Sequence, residues 1–193
     1  MDTVCSDLDA GIHKTYLLRG VTGSGKTEVY MELIAHTVAQ GRQAIVLIPE
    51  IALTYQTVMR FYNRFGDRVS IMNSKLSQGE RFDQFERAKA GEIDIMIGPR
   101  SALFTPFPHL GLIIIDEEHE TSYKSETAPR YHARDVAIER ARMNDASVLL
   151  GSATPSVDSY YQAMQGKYQL LTLSERVEKK PLPDCEVVDL RSE

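Results

Sequence analysis

Eight residues near the start of the chain, Gly20-Val21-Thr22-Gly23-Ser24-Gly25-Lys26-Thr27, satisfy G-x-x-x-x-G-K-[ST], the pattern of a phosphate-binding loop. Its glycines let backbone N–H groups curl round an anion, and the N-terminus of a following helix adds a favourable field. In such a loop Lys26 reaches the β- and γ-phosphates and Thr27 places its hydroxyl on Mg²⁺. Gly20, Thr22, Gly23, Ser24 and Gly25 complete the expected nucleotide cradle. Some ninety residues on, Ile113-Ile114-Ile115-Asp116-Glu117-Glu118-His119 is an apolar run ending in an acidic cluster. A rigid strand of that kind aims Asp116 at the Mg²⁺ that bridges nucleotide phosphates, and Glu117 is placed to orient and deprotonate a water. The chemistry these two segments describe together is Mg²⁺-dependent cleavage of a nucleoside triphosphate, with Lys26, Asp116 and Glu117 as the catalytic residues.

These residues need elements to hold them. Thr15 to Arg19 reads as a short apolar strand before the loop, and Glu28 to Ala39 as a helix after it, with Val29, Leu33, Ile34 and Val38 near one face. Gln43–Ile48 reads as a buried strand ended by Pro49. Ile51–Phe65 has helical period and offers Leu53, Val58, Phe61, Tyr62 and Phe65 to a core. Strands are expected at Val69–Met72, Ile93–Ile97, Gly111–Ile115, Ser147–Leu150 and Tyr168–Leu173. Helices are expected from Ser77 to about Ala90, over 132–143 and over Ser156–Gln165. Ser77 and Glu80 form a capping box, and Phe82 and Phe85 share one side of that helix. Thr154 followed by Pro155 reads as the N-cap and first position of the last helix. Continuous apolar strands alternating with helices imply a mainly parallel sheet covered on both faces. Ligands in such α/β folds bind beyond the carboxyl ends of strands, so each functional segment should directly follow a strand.

Composition sets the frame. The chain has 193 residues, 42% hydrophobic and 25% charged, enough for one domain with a real core. No stretch approaches the roughly 20 apolar residues of a membrane span, and Met1 to Gly11 is too polar for a signal peptide. Cys5 and Cys185 lie far apart with no partner at ligand spacing, so neither a disulfide nor zinc is indicated, and a cytoplasmic setting is the default. The net charge of −5 gives no overall basic footprint for nucleic acid, although a local phosphate-contacting groove is compatible with it. Residues 1–12 read as a leader or truncated helix and 13–175 as the domain. Residues 176–193, with Glu178-Lys179-Lys180-Pro181-Leu182-Pro183, read as a linker toward a second lobe.

The full set of segments resembles the first RecA-like lobe of a superfamily 2 helicase, and within that superfamily the bacterial replication-restart helicases of the primosome. The likeness rests on Gly20–Thr27, Pro49-Glu50-Ile51-Ala52-Leu53-Thr54, Gly98-Pro99-Arg100-Ser101-Ala102-Leu103-Phe104, Asp116–His119 and Gly151-Ser152-Ala153-Thr154. It extends to Ser122-Tyr123-Lys124 and Arg130-Tyr131-His132-Ala133-Arg134-Asp135, which are similar to an aromatic-rich loop of that family and of the RecQ-type helicases. Pro129 stands where that loop usually carries a tryptophan, and the family's adenine-recognising glutamine has no counterpart in residues 1–12.

The resemblance implies a three-layer αβα P-loop NTPase (RecA-like) fold, ATP and Mg²⁺ as cofactors, and no zinc in this segment. It implies single-stranded or forked DNA, a second helicase lobe and other primosome proteins as partners, and 3′ to 5′ movement on DNA. It assigns coupling between hydrolysis and DNA to His119, Ser152 and Thr154. It assigns DNA contact to Thr54, Arg100, Ser101, Tyr123, Lys124, Arg130, Tyr131, His132 and Arg134. The residue types suit that work, since aromatic rings stack on bases of any sequence and basic groups meet phosphates. Rival readings are a nucleotide kinase, another superfamily 2 translocase or a scaffolding module. A kinase needs an arginine-rich lid, and the aromatic segment is the sole candidate between residues 120 and 150. Intact Lys26, Asp116 and Glu117 argue against a purely binding module.

Overall fold

Strands whose residues are apolar at every position must be covered on both faces. In the computed structural model, which describes residues 2–176, β2 (Gln43–Leu47) is buried at every residue. Strand β5 (Leu110–Asp116), with its run of three isoleucines, is buried at all but its last residue. Around them lie β1 (Thr15–Gly20), β3 (Val69–Ile71), β4 (Ile95–Gly98), β6 (Ser147–Ser152) and β7 (Gln169–Leu173). The seven form one sheet in the order β3-β4-β2-β5-β6-β1-β7, and every pairing is parallel.

Alternate residues of each strand feed two separate cores. Leu17, Ile45, Leu47, Ile113, Ile115, Val148 and Leu150 face one side, where Ala88 of α4 (Gln78–Lys89), Ala133, Ala137 and Ala141 of α5 (Ala133–Met143) and Ala163 of α6 (Val157–Met164) meet them. The alanines at spacing four let α5 lie close against the sheet. Tyr16, Leu18, Val46, Leu112, Ile114 and Leu149 face the other side, against α1 (Asp2–Asp9), α2 (Lys26–Ala39) and α3 (Tyr55–Phe65). Each fully buried Leu or Ile contributes roughly 1.5–3 kcal/mol, so these two apolar layers dominate stability. The fold is the α/β, three-layer RecA-like domain that the sequence predicts, with a wholly parallel sheet.

Element boundaries differ where local chemistry intervenes. Helix α2 starts at Lys26, two residues before the expected Glu28, because Gly25 takes φ 85° and turns the chain directly into the helix. The helix expected over Ile51–Phe65 is broken. Glu50–Ala52 form one 3₁₀ turn, and α3 begins only after Thr54, whose hydroxyl accepts from the Thr57 amide at 3.3 Å. Of its candidate core residues Phe61 is fully buried, whereas Tyr62 is exposed and donates to Asp67. The capping box of α4 forms as expected, with Ser77 Oγ accepting from the Glu80 amide and Glu80 returning the bond to the Ser77 amide. Phe82 does not share the buried side with Phe85: it is 63% exposed, while Phe85 packs on the core.

Thr154 is not the cap of α6. Ser156 holds that position and accepts from the Ser159 amide, so Pro155 precedes the helix rather than opening it. Residues 2–9 form α1, with Val4 and Leu8 buried and Asp7 bonded to Tyr16 and Lys14, so this segment is built into the domain. Apart from Arg176, the expected linker lies outside the described residues, as does Cys185. Among the described residues no helix is long and apolar enough to cross a membrane. Because all strands run the same way, the segments after β1, β2, β4, β5 and β6 emerge at one sheet edge.

Candidate ATP site and adjoining groove

The phosphate loop runs from the end of β1 into the first turn of α2, and its mouth is an open cleft of about 680 Å³. Thr22 to Glu28, Arg60, Asp116, Glu117 and Arg176 line it. Within it Lys26 Nζ donates to the Gly20 carbonyl at 3.0 Å and lies 3.7 Å from Glu117 Oε1. Ser24 Oγ is buried and has no hydrogen-bond partner among the described residues. A buried hydroxyl without a partner costs about 1–3 kcal/mol, and a phosphate oxygen is the acceptor this loop is shaped to receive. The residues present therefore fit a nucleotide triphosphate, and Thr27 and Asp116, which line the same cleft, fit as holders of its cation.

Asp116 is the last residue of β5 and is held from two directions. Tyr30 Oη donates to its Oδ1 at 2.8 Å, and Tyr123 Oη donates to its backbone carbonyl at 2.7 Å and to the Leu47 carbonyl at 3.1 Å. Burial raises the Asp116 pKa, and the Tyr30 bond and Lys26 oppose that rise. Glu117 follows with φ 45°, a left-handed conformation rare for a side chain of this kind. Holding it costs of order 1–3 kcal/mol, and strain of this kind collects at functional sites. It turns the carboxylate between Lys26 and His119, whose Nδ1 lies 3.6 Å from Oε2. His119 Nδ1 shares a 2.8 Å hydrogen bond with Ser152 Oγ, which accepts from the Thr154 amide at 3.0 Å. Lys26, Glu117, His119, Ser152 and Thr154 thus form one polar chain from the phosphate loop to the segment after β6.

Two side chains beside the cleft have no role that residue type or spacing assigns. Tyr30 is one. Glu118 is the other, a carboxylate 1% exposed that accepts from the Ser156 amide at 2.6 Å, Ser156 Oγ at 3.1 Å and Ser159 Oγ at 2.8 Å. It anchors the N-terminus of α6, where a negative charge meets free amides and the helix dipole. Four acidic or titratable residues in a row signal a site, but only the fold separates the member facing the cleft from the one facing inward.

The aromatic segment divides in the same way. Tyr123 does not offer a stacking face, because its ring is 1% exposed and its hydroxyl is spent on Leu47 and Asp116. Arg134 is not a phosphate contact in this arrangement. Its side chain is 14% exposed and turns inward to Ser159 Oγ at 3.0 Å and to Glu118 at 3.9 Å. His132 caps α5 through Nδ1, which accepts from the Arg134 amide at 3.2 Å. Burial and the neighbouring guanidinium lower its pKa, which favours the neutral acceptor form.

The remaining predicted residues stay at the surface. Lys124, Arg130, Tyr131 and His132 line one hollow. Arg100 and Ser101 line another with Pro49, Glu50, Arg81, Ser122 and Tyr131. Arg100 bridges the segments, its guanidinium 5.4 Å from the Tyr131 ring centroid and donating to the Ser122 carbonyl, while Phe104 meets Tyr131 edge-on at 5.6 Å. Glu50 takes the Ser74 amide and hydroxyl, tying the turn after β2 to the loop before α4. Thr54 is exposed at the start of α3.

A parallel sheet with a phosphate loop, an acidic strand end and a polar path between them defines a P-loop helicase lobe. Residues 4–163 match the family model described as DEAD/DEAH box helicase, and the chain belongs to that family. It is 52% identical to Replication restart protein PriA of Bacillus subtilis (strain 168) over 186 residues, which cover 96% of this chain and 23% of that protein. Against the protein of the same name from Chlamydia pneumoniae it is 50% identical over 177 residues, 91% of this chain and 24% of the relative. The chain therefore spans about a quarter of the length of these curated relatives. Among solved structures, RecG bound to a three-way DNA junction superposes with a TM-score of 0.62 at 23% identity, over 90% of this chain and 23% of that one. The Hef helicase domain of Pyrococcus furiosus gives 0.62 at 17% identity, over 92% and 38%. Both likenesses concern the fold.

Proposed function

We propose that this chain is the ATP-binding lobe of an ATP-dependent 3′ to 5′ DNA helicase acting in primosome assembly and replication restart in the bacterial cytoplasm. One observation carries the reading: the partnerless Ser24 hydroxyl and Lys26 face Asp116 and Glu117 across one cleft, and Glu117 continues through His119 to Ser152. ATP with Mg²⁺ supplies a phosphoanhydride whose cleavage releases the energy for movement. Around it, Lys26, Ser24 and the loop amides would hold the phosphate oxygens, and Thr27 and Asp116 would hold the cation. Glu117, freed from Lys26, orients the attacking water. His119, Ser152 and Thr154 carry the change in Glu117 to the sheet edge. A scaffolding module has no use for this set of partners.

The lobe works opposite a second lobe, which contributes arginine fingers worth on the order of 10³–10⁵ in rate. Alone it binds nucleotide weakly, hydrolyses it very slowly and does not unwind DNA. Single-stranded DNA follows the hollows beside Thr54, Arg100, Ser101, Lys124, Arg130, Tyr131 and His132. Other primosome proteins are the further partners of the whole assembly.

The deciding measurement is binding of a fluorescent ATP analogue with Mg²⁺. The chain is expected to bind, and Lys26→Ala to lose that binding; equal affinity in the two would overturn the assignment. For DNA, anisotropy of a labelled single-stranded oligonucleotide is expected to show Tyr131→Ala weakening binding by about 1–3 kcal/mol, the worth of one stacked base. Unchanged anisotropy removes Tyr131 from the path.

A further inference from the structure

Tyr30 lies one helical turn beyond Lys26 on α2, with its ring in the core and its hydroxyl at the edge of the ATP cleft. A buried tyrosine hydroxyl needs a hydrogen-bond partner. Here the acceptor is Oδ1 of Asp116, at 2.8 Å. The register of β5 and β6 places Asp116 beside Gly151, and a Cβ on Gly151 would come within 1.8 Å of the Tyr30 hydroxyl and 2.8 Å of its Cζ. No side chain heavier than hydrogen fits at that position while the bond stands. The Glu118 amide donates to the Gly151 carbonyl at 3.0 Å, fixing the notch in place. The geometry points to Tyr30 as a positioning residue for the cation-binding carboxylate, with Gly151 as the notch that admits its hydroxyl.

The inference deepens the nucleotide reading above and rests on it. One hydrogen bond to Oδ1 fixes the rotation of a planar carboxylate, and so fixes where its second oxygen lies. A carboxylate that must find that direction on each binding event loses cation affinity; one already held does not. Groups that hydrogen-bond a metal-ligating side chain in this way change metal affinity or activity by about 10- to 100-fold when removed. Tyr30 also leans on the strand that leads to Ser152, so the same phenol senses the Asp116 and Gly151 strand ends together.

The test uses the 193-residue chain, a fluorescent ATP analogue, and titration with Mg²⁺ or with EDTA. Tyr30→Phe keeps the ring and its packing and removes only the donor. Affinity in EDTA is expected to stay at the parent value, and the Mg²⁺ concentration for half-maximal effect to rise about 10- to 100-fold. Gly151→Ala, which displaces the hydroxyl from the other side, is expected to raise it likewise. An unchanged Mg²⁺ requirement in Tyr30→Phe, or equal losses in EDTA and in Mg²⁺, overturns the positioning role and leaves the ATP site standing. A parent chain that shows no Mg²⁺-dependent binding overturns both together.

Discussion

Glu117→Gln is expected to lower ATP turnover by about 10²–10⁴-fold, the contribution of a positioned general base, while nucleotide affinity holds or rises. The expectation follows from where the side chain sits. Its backbone takes φ 45°, its Oε1 lies 3.7 Å from Lys26 and its Oε2 lies 3.6 Å from His119. Glutamine has the same shape and accepts hydrogen bonds but does not take a proton from water. Losing the negative charge also frees Lys26 for phosphate, which pushes affinity in the opposite direction to rate. Steady-state hydrolysis and analogue binding, both measured in the two-lobe protein, separate the effects. A parallel fall in affinity and rate would reassign Glu117 to binding. Turnover near the parent value would remove it from the chemistry.

Glu118→Ala is expected to destabilise the domain by about 3–5 kcal/mol, as removing one partner of a buried charged network does. The carboxylate satisfies the Ser156 amide and the hydroxyls of Ser156 and Ser159, and it stands against Arg134. Alanine leaves all of these without their acceptor and leaves the inward face of the Arg134 guanidinium without a carboxylate, Asp135 pairing only with its Nε at 3.3 Å. With total stabilities of about 5–15 kcal/mol for domains of this kind, the loss is a large share of what holds the chain folded. Glu118→Gln keeps an acceptor oxygen and is expected to cost less. Urea unfolding reads both, with the midpoint falling and the slope unchanged if the effect is on stability alone. Equal midpoints for parent and Glu118→Ala would show that Arg134 and α6 find other partners.

The pair Glu117 and Glu118 also shows what a sequence can carry. Continuous apolar runs specified the buried strands, and parallel pairing then forced every segment that follows β1, β2, β4, β5 and β6 onto one edge. That much was legible, because it depends on burial and direction rather than on side-chain rotation. The phosphate loop was legible for a similar reason: glycines and a helix start constrain the backbone itself. Tyr30, Glu118, Tyr123 and Arg134 were not, because nothing in residue type says whether a tyrosine or arginine turns out to solvent or in toward a carboxylate. Tyr123 and Arg134 belong to a polar, aromatic stretch that reads as surface, yet two strand-end carbonyls and a buried glutamate draw them inward. The late start of α3 has a local cause instead. Thr54 competes as an N-cap within an otherwise helical period, and the cap prevails.

The strand order has one more consequence. The strands leading to the phosphate loop and to Asp116, β1 and β5, are not neighbours; β6 runs between them. With adjacent strands about 4.8 Å apart, the two strand ends stand roughly 10 Å apart across the sheet, and the Lys26 and Glu117 side chains reach toward each other over that distance to 3.7 Å. Gly151, near the end of β6, is in register with Leu18 of β1 on one side and Asp116 of β5 on the other, so a single glycine joins the strand that feeds the phosphate loop to the strand that ends in the acidic cluster.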